Sequence, residues 1–184
     1  VKTPDSVWGR ARKIGAPLNS HGNEGAQSIA PDGNTLYFTI CNRADGMGSC
    51  DLYVSERKGT GWSTPVNMGI RVNSGAWDSQ PSISPDGKTL YFASAREGGK
   101  GLMDIWKTTK NENGVWTAPV NLGDSINTVY SEMSPFIHSD GKTLYFTSTG
   151  HPGMGGMDIF YSKLKDDGQW STPKNLGYPI NTFN

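Results

Sequence analysis

The chain has 184 residues, balances 17 Lys and Arg against 17 Asp and Glu, and carries 24 glycines and 6 tryptophans. Zero net charge gives no steering toward nucleic acid, and no basic run supplies any locally. No apolar stretch approaches the ~20 residues of a membrane-spanning helix, so no direct membrane span is expected. The amino terminus is not signal-like, and Val1 reads as a start from which upstream sequence has been removed.

Trp8, Trp62, Trp116 and Trp170 recur every 54 residues, the signature of a repeat architecture. A leading strand is predicted over 8–15, a degenerate copy with Ala11 where the later copies have proline. Three full repeats follow, over about 16–69, 70–123 and 124–177, and residues 178–184 open the next connection. Each repeat begins with a connection: Leu18-Asn19-Ser20, Val72-Asn73-Ser74, Ile126-Asn127-Thr128, and again Ile180-Asn181-Thr182. An acid comes next, at Glu24, Asp78 and Glu132.

In the second repeat, strand one is predicted from Gln80 to Pro85. Asp86-Gly87 then reverses the chain, glycine taking positive φ at little cost. Strand two, Lys88 to Ser94, holds Thr-Leu-Tyr-Phe, which recurs at 35–38, 89–92 and 143–146. A glycine-rich loop leads to strand three, Met103 to Lys110. Asn111 to Gly114 turns the chain into strand four, Val115 to about Leu122. No stretch has sustained helical periodicity.

The expected fold is all-β, built of β-propeller blades: three full four-stranded antiparallel repeats plus a leading strand. Adjacent Leu, Tyr and Phe point to opposite faces and all favour burial, as in a blade covered on both sides. The recurring tryptophan is expected to wedge between blades. A β-solenoid is the competing architecture, but its coils are usually shorter and less rich in hairpins. Propellers close with ~4–8 blades. Three blades therefore read as part of a larger ring of about six, either as a segment of a longer propeller or through association of two copies. Strand exchange through the Trp8 segment is one route to such a dimer.

Cys41 and Cys50 flank the first repeat's loop between strands two and three. Adjacent strand ends can bring them within disulfide range in an oxidising compartment, with two free thiols as the alternative. Zinc is not expected, because two sulfurs without a nearby histidine make an incomplete set.

Glu24, Asp78 and Glu132 precede the strand nearest the axis. They could line the upper channel or accept backbone N–H bonds from a neighbouring blade. Recurrence in every copy favours a structural role over cation or ligand binding. Asp32, Asp86 and Asp140 are read as turn residues. Asp51, Asp104 and Asp158 are read as ties for the glycine-rich loops. Those loops vary between copies, and varied loops on a repeated scaffold suit recognition. Their candidate recognition residues are Arg43, Asp45, Arg96, Glu97 and His151, with Trp77 and Tyr130 outside the tryptophan pattern. Asp45 lacks the spacing of a calcium loop.

The pattern Trp-x-x-Pro-x-Asn-Leu-Gly-x-x-Ile-Asn-Thr, seen at 116–128, leads through Glu132 into Ser-Asp-Gly-Lys-Thr-Leu-Tyr-Phe-Thr-Ser at 139–148. It resembles the WD40-like PD40 propeller repeat. His151-Pro-Gly-Met-Gly-Gly-Met-Asp-Ile-Phe160 resembles repeats of Bacteroidetes-type envelope proteins, where such propellers sit beside tetratricopeptide repeats and an OmpA-like domain. The type IX secretion component PorE is similar in layout, and TolB-type periplasmic propellers are more distant. The resemblance covers essentially the whole chain. Two departures, Ala30 for serine and Ser139 for proline, leave the turn intact.

The resemblance implies a noncatalytic protein-interaction scaffold in the periplasm, associated with the outer membrane, with envelope proteins as partners and no cofactor. It supplies no catalytic residue, and peptidoglycan binding does not transfer because the OmpA-like domain is not in this sequence. A glycan-binding module is the alternative. A propeller glycosidase or lyase ranks lower, since the three histidines, His21, His138 and His151, occupy no equivalent repeat positions and no nucleophile motif is present.

Overall fold

The computed structural model describes residues 9–11 and 13–183. The first blade comprises β1 (Asn23–Ile29), β2 (Thr35–Cys41), β3 (Cys50–Lys58), β4 (Gly61–Trp62) and β5 (Val66–Asn67). The second comprises β6 (Asp78–Ile83), β7 (Thr89–Ser94), β8 (Asp104–Thr109) and β9 (Val120–Asn121). The third comprises β10 (Glu132–Ile137), β11 (Thr143–Ser148), β12 (Asp158–Lys163) and β13 (Lys174–Asn175). Each blade is an antiparallel sheet in simple chain order, and in the first blade β4 and β5 both pair with β3.

The Asp-Gly turns form as expected. Gly33, Gly87 and Gly141 all sit near φ 68–69°. Asp32, Asp86 and Asp140 accept the amides of Asn34, Lys88 and Lys142 at 2.8, 3.0 and 2.8 Å. The Ser84 hydroxyl first, then the Lys88 amide, hold the Asp86 carboxyl below its usual range.

The predicted fourth strand is not continuous. In the second blade only Lys110–Trp116 and Val120–Asn121 pair. Pro119 lies between them without an N–H, so the ladder breaks there. Pro65 and Pro173 interrupt the other blades at the same place. A hydroxyl bridges each gap: Ser55, Thr108 and Ser162 donate to the carbonyls of Ser63, Thr117 and Ser171 at 2.6, 2.6 and 2.5 Å. Of the predicted leading strand, Trp8 and Arg12 lie outside the described residues. Gly9–Ala11 and Lys13–Gly15 carry no strand. A fourth strand pairs with the third strand of its own blade, and among the described residues no third strand precedes residue 15.

Two of the three core clusters lie between blades, and the third gathers Leu18, Leu36, Phe38, Ile40 and Tyr53 of the first repeat with Trp62 against them. Tyr37, Leu52 and Val72 pack on Ile83, Leu90, Phe92 and Trp106, and the next boundary repeats the pattern with Tyr91, Ile105 and Ile126 on Ile137, Leu144, Phe146 and Phe160. Burying side chains of this size stabilises by ~1.5–3 kcal/mol each. At the two internal boundaries the recurring tryptophan wedges between blades, whereas Trp62 packs against its own repeat and Trp8 lies outside the described residues. Trp116 meets Tyr37 edge-on at 5.9 Å, and Trp170 meets Tyr91 at 6.2 Å, a geometry favoured by the ring quadrupoles. Burial pushes the Tyr37 and Tyr91 hydroxyls up to about 12.

Polar groups complete each boundary. The Asn73 amide accepts from Leu52 N at 2.9 Å and donates to Leu52 O at 3.0 Å, completing the backbone pairing of the preceding blade's third strand. Asn127 does the same to Ile105 and Asn181 to Ile159. Short parallel bridges join Cys50 to Trp77 and Met103 to Ser131. The innermost strands each bulge at a non-glycine residue with positive φ: Ala26, Gln80 and Ser134.

Candidate recognition face and axial cleft

The repeated acids are consumed by the connections that lead into their own blades. Asp78 is fully buried and accepts the Ser74 amide and hydroxyl at 2.6 and 2.7 Å, the Ser94 hydroxyl at 2.6 Å and Arg96 Nη2 at 2.6 Å. Glu132, also fully buried, accepts the Thr128 amide and hydroxyl at 2.7 and 2.8 Å and the Ser148 hydroxyl at 2.6 Å. Half-buried Glu24 binds the amide and hydroxyl of Ser20. The N–H groups therefore come from four residues upstream rather than from a neighbouring blade's strands.

The axial cleft has a different lining. About 480 Å³ lies between the three inner strands, walled by Gln27, Gln80, Pro81, Ser134, Pro135 and Phe136 among others. None of the three acids lines it. Hydrogen bonds knit its wall: Ser28 and Ser82 hydroxyls accept the amides of Ile83 and Ile137 at 3.0 Å each, and Gln80 Oε1 accepts Ser134 N at 2.7 Å. The cleft presents amides, hydroxyls and apolar edges, with no charged side chain among the residues that line it.

The loop side chains fall into two groups. Arg96 folds inward. Its guanidinium reaches Asp78 and the Val72 carbonyl, the latter at 2.8 Å, and lies 4.9 and 5.2 Å from the Phe92 and Trp106 ring centres. His151 takes the corresponding place in the third blade, with Nε2 2.8 Å from the Ile126 carbonyl and its ring against Phe146 and Phe160. Both are half-buried. Arg43 lies over Tyr53 and pairs with exposed Asp45 at 2.9 Å, and Asp45 also accepts the Tyr53 hydroxyl. Glu97 is exposed. Trp77 is half-buried and its carbonyl accepts Ala95 N at 3.0 Å.

Asp51, Asp104 and Asp158 tie the glycine-rich loops. They accept from Met47 N at 2.9 Å, Gly101 N at 3.1 Å and Gly155 N at 3.3 Å. Burial raises the Asp51 carboxyl despite these donors, whereas the Met154 amide is the main cause lowering Asp158. Cys41 and Cys50 face each other across β2 and β3 and are joined by a disulfide. Among the described residues no three His, Cys, Asp or Glu side chains gather as a metal set.

The second blade boundary carries an apolar patch. Leu102, Val129 and Tyr130 are all exposed, and Leu102 N donates to Tyr130 O at 2.7 Å, holding loop and connection side by side. The matching positions of the first boundary are Ser49, Gly75 and Ala76. Tyr130 was legible in the sequence as a departure from the repeat. Leu102 and Val129 were not singled out, although a repeat-by-repeat comparison of apolar residues exposes them. The roles of Asn73, Asn127 and Asn181 were signalled by their invariance across the copies.

No family model and no curated protein matches the chain. Solved structures do. TolB from Acinetobacter baumannii matches 91% of this chain and 35% of its own, at 16% identity and a TM-score of 0.57. A TolB-type protein from Agrobacterium tumefaciens matches 89% of this chain and 51% of its own, at 22% identity and a TM-score of 0.53. An alpha-L-arabinofuranosidase from Lactobacillus brevis matches 83% of this chain and 54% of its own, at 15% identity and a TM-score of 0.53. At such identities the likeness establishes the fold alone. The chain has a propeller-like fold of repeated four-stranded antiparallel sheets, shared distantly with TolB-type proteins, and it spans about a third to a half of their length. The fold also serves a glycosidase, so it does not choose between enzyme and non-enzyme. No helix among the described residues is long and apolar enough to cross a membrane.

Proposed function

We propose that the chain is a noncatalytic protein-interaction scaffold of the bacterial cell envelope, acting in the periplasm in association with the outer membrane. The PD40-type repeat pattern supports this setting, and the disulfide suits an oxidising compartment. The observation that carries the interaction role is the exposed Leu102, Val129 and Tyr130 cluster on otherwise polar loops. Large apolar side chains grouped on a surface mark association sites, and tyrosine is enriched where binding energy concentrates. The buried acids support a noncatalytic reading, because each carboxylate is already surrounded by hydroxyl and amide donors.

The test is a photoreactive side chain introduced at Tyr130 in envelope-expressing cells, with Glu97 as a neighbouring control position. A discrete crosslinked envelope protein from position 130, lost when Leu102 and Val129 are both changed to serine, is expected. Glu132→Gln should leave that crosslink in place if its fold is retained. Saturable binding of an oligosaccharide without product would replace this reading by a glycan-binding module. Turnover abolished by Glu132→Gln in a folded protein would replace it by an enzyme.

A further inference from the structure

The hairpin turn of the first blade departs from its two counterparts. In the second blade the Ser84 hydroxyl donates to Asp86, and in the third the Thr143 hydroxyl and amide donate to Asp140 at 2.7 and 2.8 Å beside His138. Ala30 stands where those turns have Ser84 and His138, and it supplies no donor. Asp32 accepts the Asn34 amide at 2.8 Å through Oδ1 and, among the described residues, nothing else. Asp86 likewise uses only Oδ1 in its own turn.

The space around the first turn departs too. A Cβ at Gly141 would lie 3.4 Å from Pro85 Cγ, so the turns of the second and third blades stand in contact. Pro31 is the counterpart of Pro85, yet a Cβ at Gly87 would meet nothing within 4 Å. A cavity of about 310 Å³ lies between the turns of the first and second blades. Asp32, Tyr37, Asp86 and Lys110 line it, with the Pro31 and Pro85 rings. It sits at the opposite end of the blades from the glycine-rich loops, and the contact of Tyr37 with Trp116 joins the two blades that wall it.

Tyr37 is 2% exposed, and its hydroxyl makes no hydrogen bond among the described residues. A buried hydroxyl without a partner is costly. Trp116 fixes the ring, so the hydroxyl is held toward the cavity that Tyr37 lines. After burial, the charges of Asp32 and Glu56 are the causes that raise its pKa, which sets both carboxylates near it. Glu56 pairs with Thr35, another residue of the lining. Asp32, Glu56 and Asp86 form no ion pair among the described residues. Lys110 forms none either, and its ammonium lies 5.0 Å over the Trp116 ring instead. Of the neighbouring cations, Arg57 is held by the Gly33 carbonyl and the Trp62 ring, and Lys88 is exposed.

We propose that this cavity binds an ammonium or guanidinium group carried on an alkyl stem, as in a lysine or arginine side chain. Asp32 and Asp86 accept its N–H groups from the two turns, and the Tyr37 hydroxyl accepts between them. Hydrogen bonds between charged partners are the strong ones. The Pro31 and Pro85 rings flank the stem, as apolar surface commonly covers the methylenes of long cationic side chains. Ala30 confines the site to this boundary, because a serine there would engage Asp32 as Ser84 engages Asp86. Lys110 opposes the ligand by like charge. The site is separate from the Leu102, Val129 and Tyr130 patch and does not depend on it.

The test is a titration of isotope-labelled protein, followed by amide chemical shifts, with blocked glycine pentapeptides whose central residue is arginine, lysine or norleucine. Saturable shifts are expected at Ala30, Asp32, Thr35 and Gly87 with the two cationic peptides, and none with the norleucine peptide. Asp32→Asn should weaken binding by about tenfold, the scale of one hydrogen bond to a charged group. Ala30→Ser restores the residue of the second blade, so it is expected to fold and to bind several-fold more weakly. Tyr37→Phe keeps the ring contact with Trp116 and should also weaken binding. Lys110→Met should tighten it. Butylamine separates the sources: affinity equal to the peptides assigns a free amine, lower affinity assigns a side chain of a partner, and either supports a site for cations. Absence of saturable shifts with both cationic peptides overturns the proposal. So does equal binding of the norleucine peptide, or unchanged binding in a folded Asp32→Asn variant. Loss of binding in Lys110→Met would overturn it in favour of a site for anions.

Discussion

Arg96 is the residue whose sequence reading and position differ most. It sits in a variable glycine-rich loop, where a long charged side chain suggests an outward-facing contact. Its guanidinium instead turns back across Phe92 and Trp106 to Asp78. Asp78 is fully buried and the Arg96 side chain is 11% exposed, and a carboxylate left there without its cation is costly. Breaking such a pair typically costs about 3–5 kcal/mol. Arg96→Ala should therefore lower the unfolding free energy by that order, read as a lower urea midpoint with little change in slope. Adding Asp78→Asn should recover part of the loss, because the orphaned charge is gone. An Arg96→Ala unfolding free energy within about 0.5 kcal/mol of wild type, the range of an ordinary surface change, would show that Asp78 is held by its hydroxyl and amide donors alone. Glu132 already works in that way, with Thr128 and Ser148 as its donors and no arginine.

Most of the blade was legible at the scale of the element, because its strands are written three times. Thr-Leu-Tyr-Phe fixes strand two, and Asp-Gly fixes the hairpin before it. The fourth strand was overextended because its Trp-x-x-Pro motif looks like a strand start, while the proline that completes the motif breaks the ladder. Less visible was the backbone contact that joins one blade's loop to the next blade's first strand. It depends on a glycine whose missing side chain leaves room for a carbonyl. A Cβ at Gly101 would lie 2.1 Å from the Tyr130 carbonyl oxygen and 2.5 Å from that of Thr128. Gly101→Ala should push the loop off the connection at a cost of about 1–3 kcal/mol, typical of overpacking. Faster hydrogen exchange at the Leu102 amide would report the lost bond. Gly156→Ala is the matched control, since open space surrounds its Cβ position and its φ is not positive. Equal effects of the two substitutions would place the cost in the alanine itself rather than at the blade boundary.

Over the whole molecule, stability should follow blade position rather than strand sequence. A repeat array owes its stability to each unit and to the interfaces between neighbours. Among the described residues the second blade packs against a neighbour on both faces and the third against a neighbour on one. Phe92 and Phe146, or Ile105 and Ile159, occupy equivalent strand positions in the two blades. Their amides differ chiefly in what lies beyond the sheet. Native-state hydrogen exchange should find Phe92 and Ile105 opening only near the free energy of global unfolding, and Phe146 and Ile159 opening well below it. Equal protection of the two blades would mean that the molecule opens as one unit.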